Sequence, residues 1–300
     1  MSDYECVKLA IDGPVATVQL NRPEKKNAMS PTLHQNMVDA LTEVERAGDV
    51  KVTVLTGVGD SFCGGMDLEK CFLEPFSNPA EFERVNVTAF TWFKKLKYSP
   101  SVTVAKVNGW AFGGGFELVG LCDIAIAAEE AVFGLSEINF GVFPGGGAMW
   151  ATTHNLNRKQ ALYYSLTGAT FTGREAVALG LVNQAVPAAE LDAATQRVVD
   201  SLVKKSRLAL RANKQAYEKS VGMTFDDSIE FEMAKLAELW YLTENEWVRQ
   251  GLAQFARREY RPGLEAFQLE GKDGRPTRRG KGALPRARRG SVKLEEKGEA

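Results

Sequence analysis

Apolar and polar positions follow two different periods along the first half of the chain. Short runs rich in β-branched residues alternate with longer stretches in which apolar residues recur every three or four positions. These segments predict strands and helices, in order, over Val15–Leu20, Pro31–Arg46, Val50–Leu55, Glu81–Lys97, Val102–Val107, a helix after Gly115, Asp123–Ala127 and Ala131–Phe133. Strands that alternate with helices of this length are typical of crossover connections. The pattern predicts an α/β fold of stacked parallel strands.

The pattern becomes helical from Arg158 onward. Apolar positions recur with helical spacing over Ala189–Lys204 and over Ser228–Tyr260, which is typical of amphipathic helices. We divide the sequence at these changes into an α/β core over residues 1–190, a helical region over 191–267 and a tail over 268–300.

The composition is that of an ordinary globular protein. The 300 residues are 44% hydrophobic and 25% charged, which allows one large core or two modest ones. Every apolar run is shorter than the ~20 residues of a membrane span. The N-terminal segment Met1–Glu5 lacks the basic and apolar regions of a signal peptide. We expect no membrane partner and a cytoplasmic location.

The net charge of −1 conceals an asymmetry. Residues 271–300 contain ten basic and four acidic residues, a net charge of +6, which leaves −7 on the rest of the chain. Because this tail has few apolar residues, we expect it to be disordered. Basic tails also occur in proteins that bind nucleic acids or membranes. This one has no interleaved aromatic residues, so we expect a solvated extension and no nucleic-acid partner.

Few residues in the sequence suit metal binding or nucleophilic catalysis. The four cysteines are Cys6, Cys63, Cys71 and Cys122. They show no CxxC spacing and have no neighbouring histidines. We expect free thiols and no metal site. Of the two histidines, His34 lies in a predicted helix and His154 lies among polar residues, so a catalytic triad is not favoured. Glycine motifs for dinucleotide or nucleoside triphosphate binding are incomplete.

The first of three glycine-rich segments, residues 107–118, predicts a site for a negatively charged oxygen. It follows the strand Val102–Val107 and contains Gly113, Gly114 and Gly115 before Glu117. Glycine lets the backbone approach a ligand closely, and the unpaired N–H groups at a helix start favour a developing negative charge. Three glycines alone also fit a tight turn without chemistry.

A second segment, residues 59–68, follows the strand Val50–Leu55 and contains Gly64, Gly65 and Met66 before a predicted helix. Two turns of this kind can each direct one N–H group at the same oxygen, which is the geometry of an oxyanion hole.

The third segment, residues 131–147, supplies a second acid. Glu137 lies among apolar residues, and desolvation there raises the pKa of a carboxyl group towards the range in which it transfers protons near neutrality. Considered alone, Glu137 is better explained as a surface residue or an N-terminal helix residue.

Together the three segments resemble the crotonase (enoyl-CoA hydratase/isomerase) superfamily, over a region from Val7 to Phe267. Further segments that carry the resemblance are Asn21–Met29, similar to the family's CoA-binding segment, and Leu166–Gly168, Ala176–Asn183 and Val186–Pro187, similar to its later signature. The resemblance implies a crotonase-type spiral of stacked β-β-α repeats with a helical C-terminal trimerisation region. It therefore implies self-association as a trimer or a dimer of trimers.

The resemblance also implies a set of site residues. The amides of Met66 and Gly114 would form the oxyanion hole, Glu117 and Glu137 would be the two hydratase glutamates, and Gly145 would help to place the water. The implied CoA-binding residues are Lys26, Ala28, Gly64, Asp67 and Leu68. A coenzyme A thioester is the expected substrate, and no prosthetic group is expected. The presence of both glutamates favours hydration over isomerase, hydrolase or other lyase chemistry.

A narrower resemblance links residues 22–33, 133–141, 160–168 and 261–267 to hydroxycinnamoyl-CoA hydratase-lyases. Those enzymes hydrate feruloyl- or coumaroyl-CoA and then cleave the product to an aromatic aldehyde and acetyl-CoA. The chain departs from them at three positions. A serine is usual at Glu117, and tyrosines that recognise the phenol correspond to Cys71 and Met233. These departures leave open whether cleavage follows hydration.

The predicted acyl pocket is apolar, and its residues are Cys71, Phe72, Phe140, Phe143 and Met233. They would hold an aryl or long acyl group, although the same residues equally fit a protein core. The sequence therefore predicts an enoyl-CoA hydratase for a 2-enoyl-CoA with an aromatic or bulky acyl group. The alternatives are a hydroxycinnamoyl-CoA hydratase-lyase and a non-catalytic CoA-binding protein on the same fold.

Overall fold

A computed structural model of the protein describes residues 2–261 and Gly263. Within residues 2–261 the chain forms eleven strands. In chain order they are β1 (Ser2–Asp3), β2 (Val7–Asp12), β3 (Val15–Leu20), β4 (Val52–Gly57), β5 (Ser61–Cys63), β6 (Val102–Val107), β7 (Trp110–Phe112), β8 (Ile124–Ala128), β9 (Val132–Gly134), β10 (Thr170–Thr172) and β11 (Gln184–Val186). The predicted bounds of β3 and β6 are confirmed, and β4 begins two residues later than predicted.

The strands form two mixed sheets. The large sheet has the order β1-β2-β3-β4-β6-β8-β11, and the small sheet has the order β10-β9-β7-β5. The pairs β3–β4, β4–β6, β6–β8 and β8–β11 are parallel, whereas β1–β2 and β2–β3 are antiparallel. The parallel centre of the large sheet agrees with the predicted crossover connections. The antiparallel edge was not predicted, because Val7–Asp12 was not recognised as a strand.

Three successive units repeat the same β-β-α pattern. Each unit gives its first strand to the large sheet and its second strand to the small sheet before it enters a helix. The units are β4-β5, β6-β7 and β8-β9, followed by α2, α3 and α4 respectively. Stacking these units along the two sheets produces a spiral, as the sequence predicted.

Ten α-helices lie within residues 2–261. They are α1 (Pro31–Ala47), α2 (Pro79–Lys97), α3 (Gly114–Leu121), α4 (Ala148–Asn155), α5 (Arg158–Thr167), α6 (Gly173–Leu179), α7 (Leu191–Val203), α8 (Arg207–Ser220), α9 (Phe225–Thr243) and α10 (Ala253–Ala256). Helices α1 and α2 begin where a side chain caps the first turn, from Ser30 to the N–H of Leu33 and from Asn78 to the N–H of Glu81. A proline follows each cap, where its missing N–H costs nothing.

Two helical predictions are wrong in detail. The helix expected directly after residues 59–68 is a π-helical turn, Glu69–Leu73, followed by a 3-10 turn, Glu74–Ser77. The predicted stretch Ser228–Tyr260 is not one helix, because Glu244 and Asn245 adopt left-handed conformations with φ of 50° and 59°. This conformation ends α9, and a second π-helical turn, Trp247–Leu252, precedes α10.

The hydrophobic core is built on large aromatic side chains from the sheets and from α2 and α3. Phe62, Trp92, Phe116 and Phe133 are fully buried. His34 of α1 is also fully buried, and the indole Nε1 of Trp92 donates a 2.9 Å hydrogen bond to its Nδ1. His34 is therefore a core residue that joins α1 to α2.

The described residues belong to two compact units, with the boundary between Glu244 and Asn245. The first unit contains the eleven strands and α1 to α9, and the described part of the second contains Trp247–Leu252 and α10. Among the described residues, no helix is long and apolar enough to cross a membrane. The predicted basic tail, residues 268–300, lies outside the described residues.

Candidate active site

The two predicted oxyanion segments lie side by side. The N–H of Met29 donates to the carbonyl of Gly65 (2.8 Å), and the N–H of Asp67 donates to the carbonyl of Met29 (3.0 Å), so Met29 and Met66 pair as an isolated parallel bridge. A side chain on Gly65 would lie 3.6 Å from the backbone nitrogen of Gly114. The Met29 methyl group occupies the space that a side chain on Gly114 would need. The two turns therefore meet over Met29.

The topology explains this meeting. Strands β5 and β7 are parallel neighbours that end at Cys63 and Phe112, so the turns that follow them leave the same edge of the small sheet. Helix α3 begins at Gly114, and the first N–H groups of a helix lack intrahelical acceptors. Within residues 2–261 the backbone N–H groups of Met66 and Gly114 donate no hydrogen bond to a backbone carbonyl. Both remain available to a ligand oxygen.

Glu117 lies in the first turn of α3 and is only 3% exposed. Its carboxyl group lies against the backbone of Gly147, where any side chain would overlap the carboxyl oxygen. Gly147 also has a φ of 125°, which side-chain-bearing residues rarely adopt. Burial raises the pKa of Glu117 to about 8, and the negative charge of Glu137 contributes to the rise. Glu117 therefore holds a proton near neutral pH.

Glu137 lies in the 3-10 turn Ser136–Phe140 and is half-buried. Its Oε1 atom lies 2.8 Å from the position that a side chain on Gly113 would take, and Gly113 has a φ of 51°. Burial raises the pKa of Glu137, and a backbone hydrogen bond partly offsets that rise. Its Oε2 atom is buried and has no hydrogen-bond partner among the described residues.

Both glutamates lie around the start of α3. The Glu137 carboxyl group lies against Gly113, which directly precedes Gly114, and the N–H of Gly114 donates to no backbone carbonyl within residues 2–261. Glu117 is in the first turn of the same helix, and its carboxyl group lies against Gly147 of the third glycine-rich segment. Such a site can activate a water molecule, deliver a proton and stabilise a negatively charged oxygen.

The predicted CoA-binding residues lie on two adjacent segments beside this site. The N–H of Gly64 donates to the carbonyl of Lys26 (2.8 Å), and the Arg22 guanidinium donates to the carbonyl of Ala28 (2.6 Å). The Lys26 ammonium forms an exposed ion pair with Asp60 at 2.6 Å. The backbone of Lys26 and Ala28 is thus fixed against the segment that leads to Met66.

The other two predicted CoA-binding residues follow Met66 directly. The carboxylate of Asp67 forms an ion pair with Arg22 at 3.0 Å. Leu68 is 51% exposed, so its side chain is open to a ligand. CoA contact by these residues stays a prediction.

The five predicted pocket residues differ in how far they are buried. Cys71 is buried, its thiol donates to the carbonyl of Met29 (3.2 Å), and burial raises its pKa to about 12. The other four side chains are exposed, and they are Phe72, Phe140, Phe143 and Met233. None of the ring contacts within residues 2–261 joins two of them. Gly145, the predicted water-placing residue, is exposed and lies beside Phe143.

Sequence reasoning missed several residues that build the site. Gly113 and Gly147 seat the two glutamates, and Phe90 lies 3.8 Å from the position of a side chain on Gly146. Both glycines belong to runs of three, residues 113–115 and 145–147, that lie within the glycine-rich segments of the sequence. The sequence could not show which glycine of a run faces a carboxyl group.

Comparisons with known proteins show the family and the fold of the chain. A family model described as Enoyl-CoA hydratase/isomerase matches residues 10–262. The hydroxycinnamoyl-CoA hydratase-lyase of Pseudomonas fluorescens is 40% identical over 275 residues, which cover 89% of this chain and 100% of that protein. The crystal structure of enoyl-CoA hydratase from Mycobacterium smegmatis has a TM-score of 0.79 at 26% identity, covering 84% of this chain and 96% of that one. A Thermobifida fusca YX protein in complex with CoA has a TM-score of 0.73 at 28% identity, covering 80% and 95%.

The spiral of β-β-α units, together with these relatives, defines an enzyme of the crotonase fold, of the hydratase or lyase type. The family follows from the match over most of the chain. The chain belongs to the enoyl-CoA hydratase/isomerase family. The predicted fold and enzyme class are confirmed.

Proposed function

We propose that the protein adds water across the double bond of a 2-enoyl-CoA. The observation that carries the proposal is the position of two carboxyl groups around the start of α3. Glu117 is buried in the first turn of α3, which begins at Gly114, and the half-buried Glu137 lies against Gly113. One carboxyl group takes a proton from water as its oxygen bonds to C3, and the other delivers a proton to C2. The N–H groups of Met66 and Gly114 stabilise the negative charge on the thioester oxygen meanwhile.

An aromatic or bulky acyl group suits the surface beside the site. Phe90 of α2 lies next to the glycine run that seats Glu117, and Phe72 and Phe82 are in ring contact with centroids 6.0 Å apart. These phenyl groups are exposed and can cover apolar substrate atoms. The hydroxycinnamoyl group in the name of the Pseudomonas fluorescens relative is also bulky and aromatic.

A hydroxycinnamoyl-CoA hydratase-lyase is the second candidate, because that relative is 40% identical across its whole length. In that reaction the C2–C3 bond of the hydrated thioester breaks, which yields an aldehyde and acetyl-CoA. The thiol of Cys71, at the position predicted to contact a phenol, is bonded to the carbonyl of Met29. This contact favours a substrate without a phenol at that point, and hence hydration alone.

One assay separates the candidates. Purified protein is incubated with crotonyl-, cinnamoyl- and feruloyl-CoA, and the products are resolved by mass. Hydration predicts products heavier by one water, whereas cleavage predicts acetyl-CoA and an aldehyde. No conversion of any thioester, with CoA still bound, would favour the non-catalytic alternative.

Both glutamates are expected to be required. Glu117→Gln and Glu137→Gln keep the size of the side chain but remove proton transfer, so each should lower kcat by ~10²–10⁴-fold. Glu190 is exposed and outside the site, so Glu190→Gln is the matched control and should retain full activity. Near-normal turnover by either active-site variant would contradict the assignment.

A further inference from the structure

An ion pair next to Met66 joins the segment that ends at Met29 to the segment that contains Met66. Arg22 Nη1 lies 3.0 Å from Asp67 Oδ2, and the two side chains are only 15% and 10% exposed. The same Nη1 atom donates a 2.6 Å hydrogen bond to the carbonyl of Ala28. One guanidinium group therefore contacts the segment before Met29 and the residue after Met66.

The backbone around this pair is fixed on both sides. Asn27 is fully buried, and its side chain accepts from the N–H of Arg22 (2.9 Å) and donates to the carbonyls of Val58 and Ser61 (2.9 and 2.7 Å). The N–H of Asp67 donates to Met29. The Arg22–Asp67 pair thus closes a ring of contacts around the peptide that carries the Met66 N–H.

The orientation of that peptide matters because an oxyanion donor works only when it points at the reacting oxygen. Met66 N–H has no backbone acceptor within residues 2–261, so no hydrogen bond of its own to the backbone fixes its direction. The constraint comes from its neighbours, the Met29 bridge on one side and the Asp67 carboxylate on the other.

We propose that Arg22 and Asp67 are positioning residues that orient the Met66 N–H towards the thioester oxygen. The proposal rests on the proposed hydratase function. Because both charges are largely buried, neutralising one leaves the other without its partner, and the Asp67 side chain would then move. A displacement of the donor affects the transition state more than the bound substrate.

The test is a double-mutant cycle on the full-length protein, with hydration of crotonyl-CoA as the readout. Asp67→Asn and Arg22→Gln should each lower kcat by roughly 10- to 100-fold. Arg22→Gln leaves the predicted CoA-binding side chains in place and should change KM by less than about threefold. The double variant should be no less active than the more impaired of the two single variants, because Arg22 and Asp67 act through the same peptide. Losses that multiply, or kcat within about twofold of the unmodified protein, would overturn the proposal.

A matched ion pair controls for loss of stability. Lys214 and Asp123 lie 2.8 Å apart, with side chains 10% and 20% exposed, and neither belongs to the site. Lys214→Gln and Asp123→Asn should lower the unfolding temperature as the site variants do but leave kcat unchanged. An equal loss of kcat in these controls would show that the Arg22–Asp67 effect is only structural, and would overturn the proposal.

The absorption spectrum of a bound thioester reports on the hydrogen bond from the Met66 N–H. Cinnamoyl-CoA bound to a Glu137→Gln protein, which is expected to leave it unreacted, should absorb at longer wavelength than in water, because hydrogen bonds to the thioester oxygen polarise the conjugated system. Adding Asp67→Asn should reduce this shift, and adding Asp123→Asn should not. An unmodified protein without hydratase activity would overturn the proposed function, whereas an active protein with an undiminished shift would overturn the positioning role alone.

Discussion

Glu117 and Glu137 are interacting acids, because burial raises the pKa of both and the charge of Glu137 raises the pKa of Glu117 further. The pair must hold one proton to deliver it to C2. Since the pKa of Glu117 is raised to about 8, we expect kcat/KM for hydration to fall as the pH rises through about 8. Rates measured from about pH 6 to about pH 10 check this, and a flat profile across that range would contradict it.

The raised pKa of Glu117 also makes the stability of the fold depend on pH. The folded protein binds a proton at Glu117 more tightly than the unfolded chain does, so this contribution to stability is full below pH 4.5 and is lost as the pH rises from 4.5 to about 8. Glu117→Gln removes the loss and should stabilise the fold at pH 9 by on the order of 1–4 kcal/mol. At pH 5 the gain should nearly vanish. Thermal unfolding at the two pH values measures the difference, and equal effects at both would argue against a raised pKa.

A glycine is needed at position 147 because the Glu117 carboxyl group packs against it, and not only because of its backbone conformation. Its φ is 125° and a side chain there would overlap the Glu117 carboxyl group, whereas Gly141 has a φ of 78° and nothing within 4 Å. Gly147→Ala should displace Glu117 and lower kcat by roughly 10- to 100-fold. Gly141→Ala also places a side chain on a residue of positive φ, which costs roughly 1 kcal/mol in the left-handed conformation, and should retain activity. Equal activities of the two variants would show that strain alone explains the effect.

At the scale of elements, α1 and α2 are joined through a buried histidine. Burial lowers the pKa of His34 from 6.5 to about 4, and Trp92 donates to its Nδ1, which requires that nitrogen to be unprotonated. The unfolded chain binds a proton there more readily, so this stability is present above pH 6.5 and is lost as the pH falls towards 4.

His34→Gln keeps a hydrogen-bond acceptor for Trp92 and removes the titration. The unfolding temperature of this variant should therefore fall less between pH 7 and pH 4 than that of the unmodified protein, by an amount equivalent to about 1–3 kcal/mol. His154 is exposed and stacks on Trp150, so His154→Gln is the control and should keep the original slope. An unchanged slope in His34→Gln would exclude His34 as the acid-sensitive group.

At the scale of the whole molecule, α9 presents an apolar stripe. Ile229, Met233, Leu236 and Trp240 share one face by their spacing, and all are at least 40% exposed. A patch of this kind is typical of a protein interface, and self-association as a trimer or a dimer of trimers stays a prediction.

Light scattering at micromolar protein should therefore give the mass of three or six chains. Leu236→Lys introduces a charge into the stripe and should lower that mass. Val177 of α6 is also 40% exposed, so Val177→Lys is the matched control and should leave the mass unchanged. A monomeric mass for the unmodified protein would refute the prediction.

Local patterns in the sequence were enough to predict several elements of the fold. Runs of β-branched residues gave the strands β3, β4 and β6, and the helical spacing of apolar residues gave α1, α2 and α7, within about two residues of their observed bounds. The sequence also singled out both glutamates and both glycine turns, but only the resemblance to a family assigned them roles, because glycine runs at strand ends also fit tight turns without chemistry. It failed where a local conformation interrupted the period, as at Glu244 and Asn245.

Only the tertiary structure determined which residues of different segments lie next to one another. Residues 26, 64, 113 and 147 come from four separate segments, and parallel pairing of β5, β7 and β9 brings the turns after them to one sheet edge. The pKa of Glu117 depends on the burial and charge that this assembly creates. The pairing of Arg22 with Asp67 likewise depends on it. Sequence spacing determines which side chains share an element, whereas distances between elements depend on packing, which no local pattern contains.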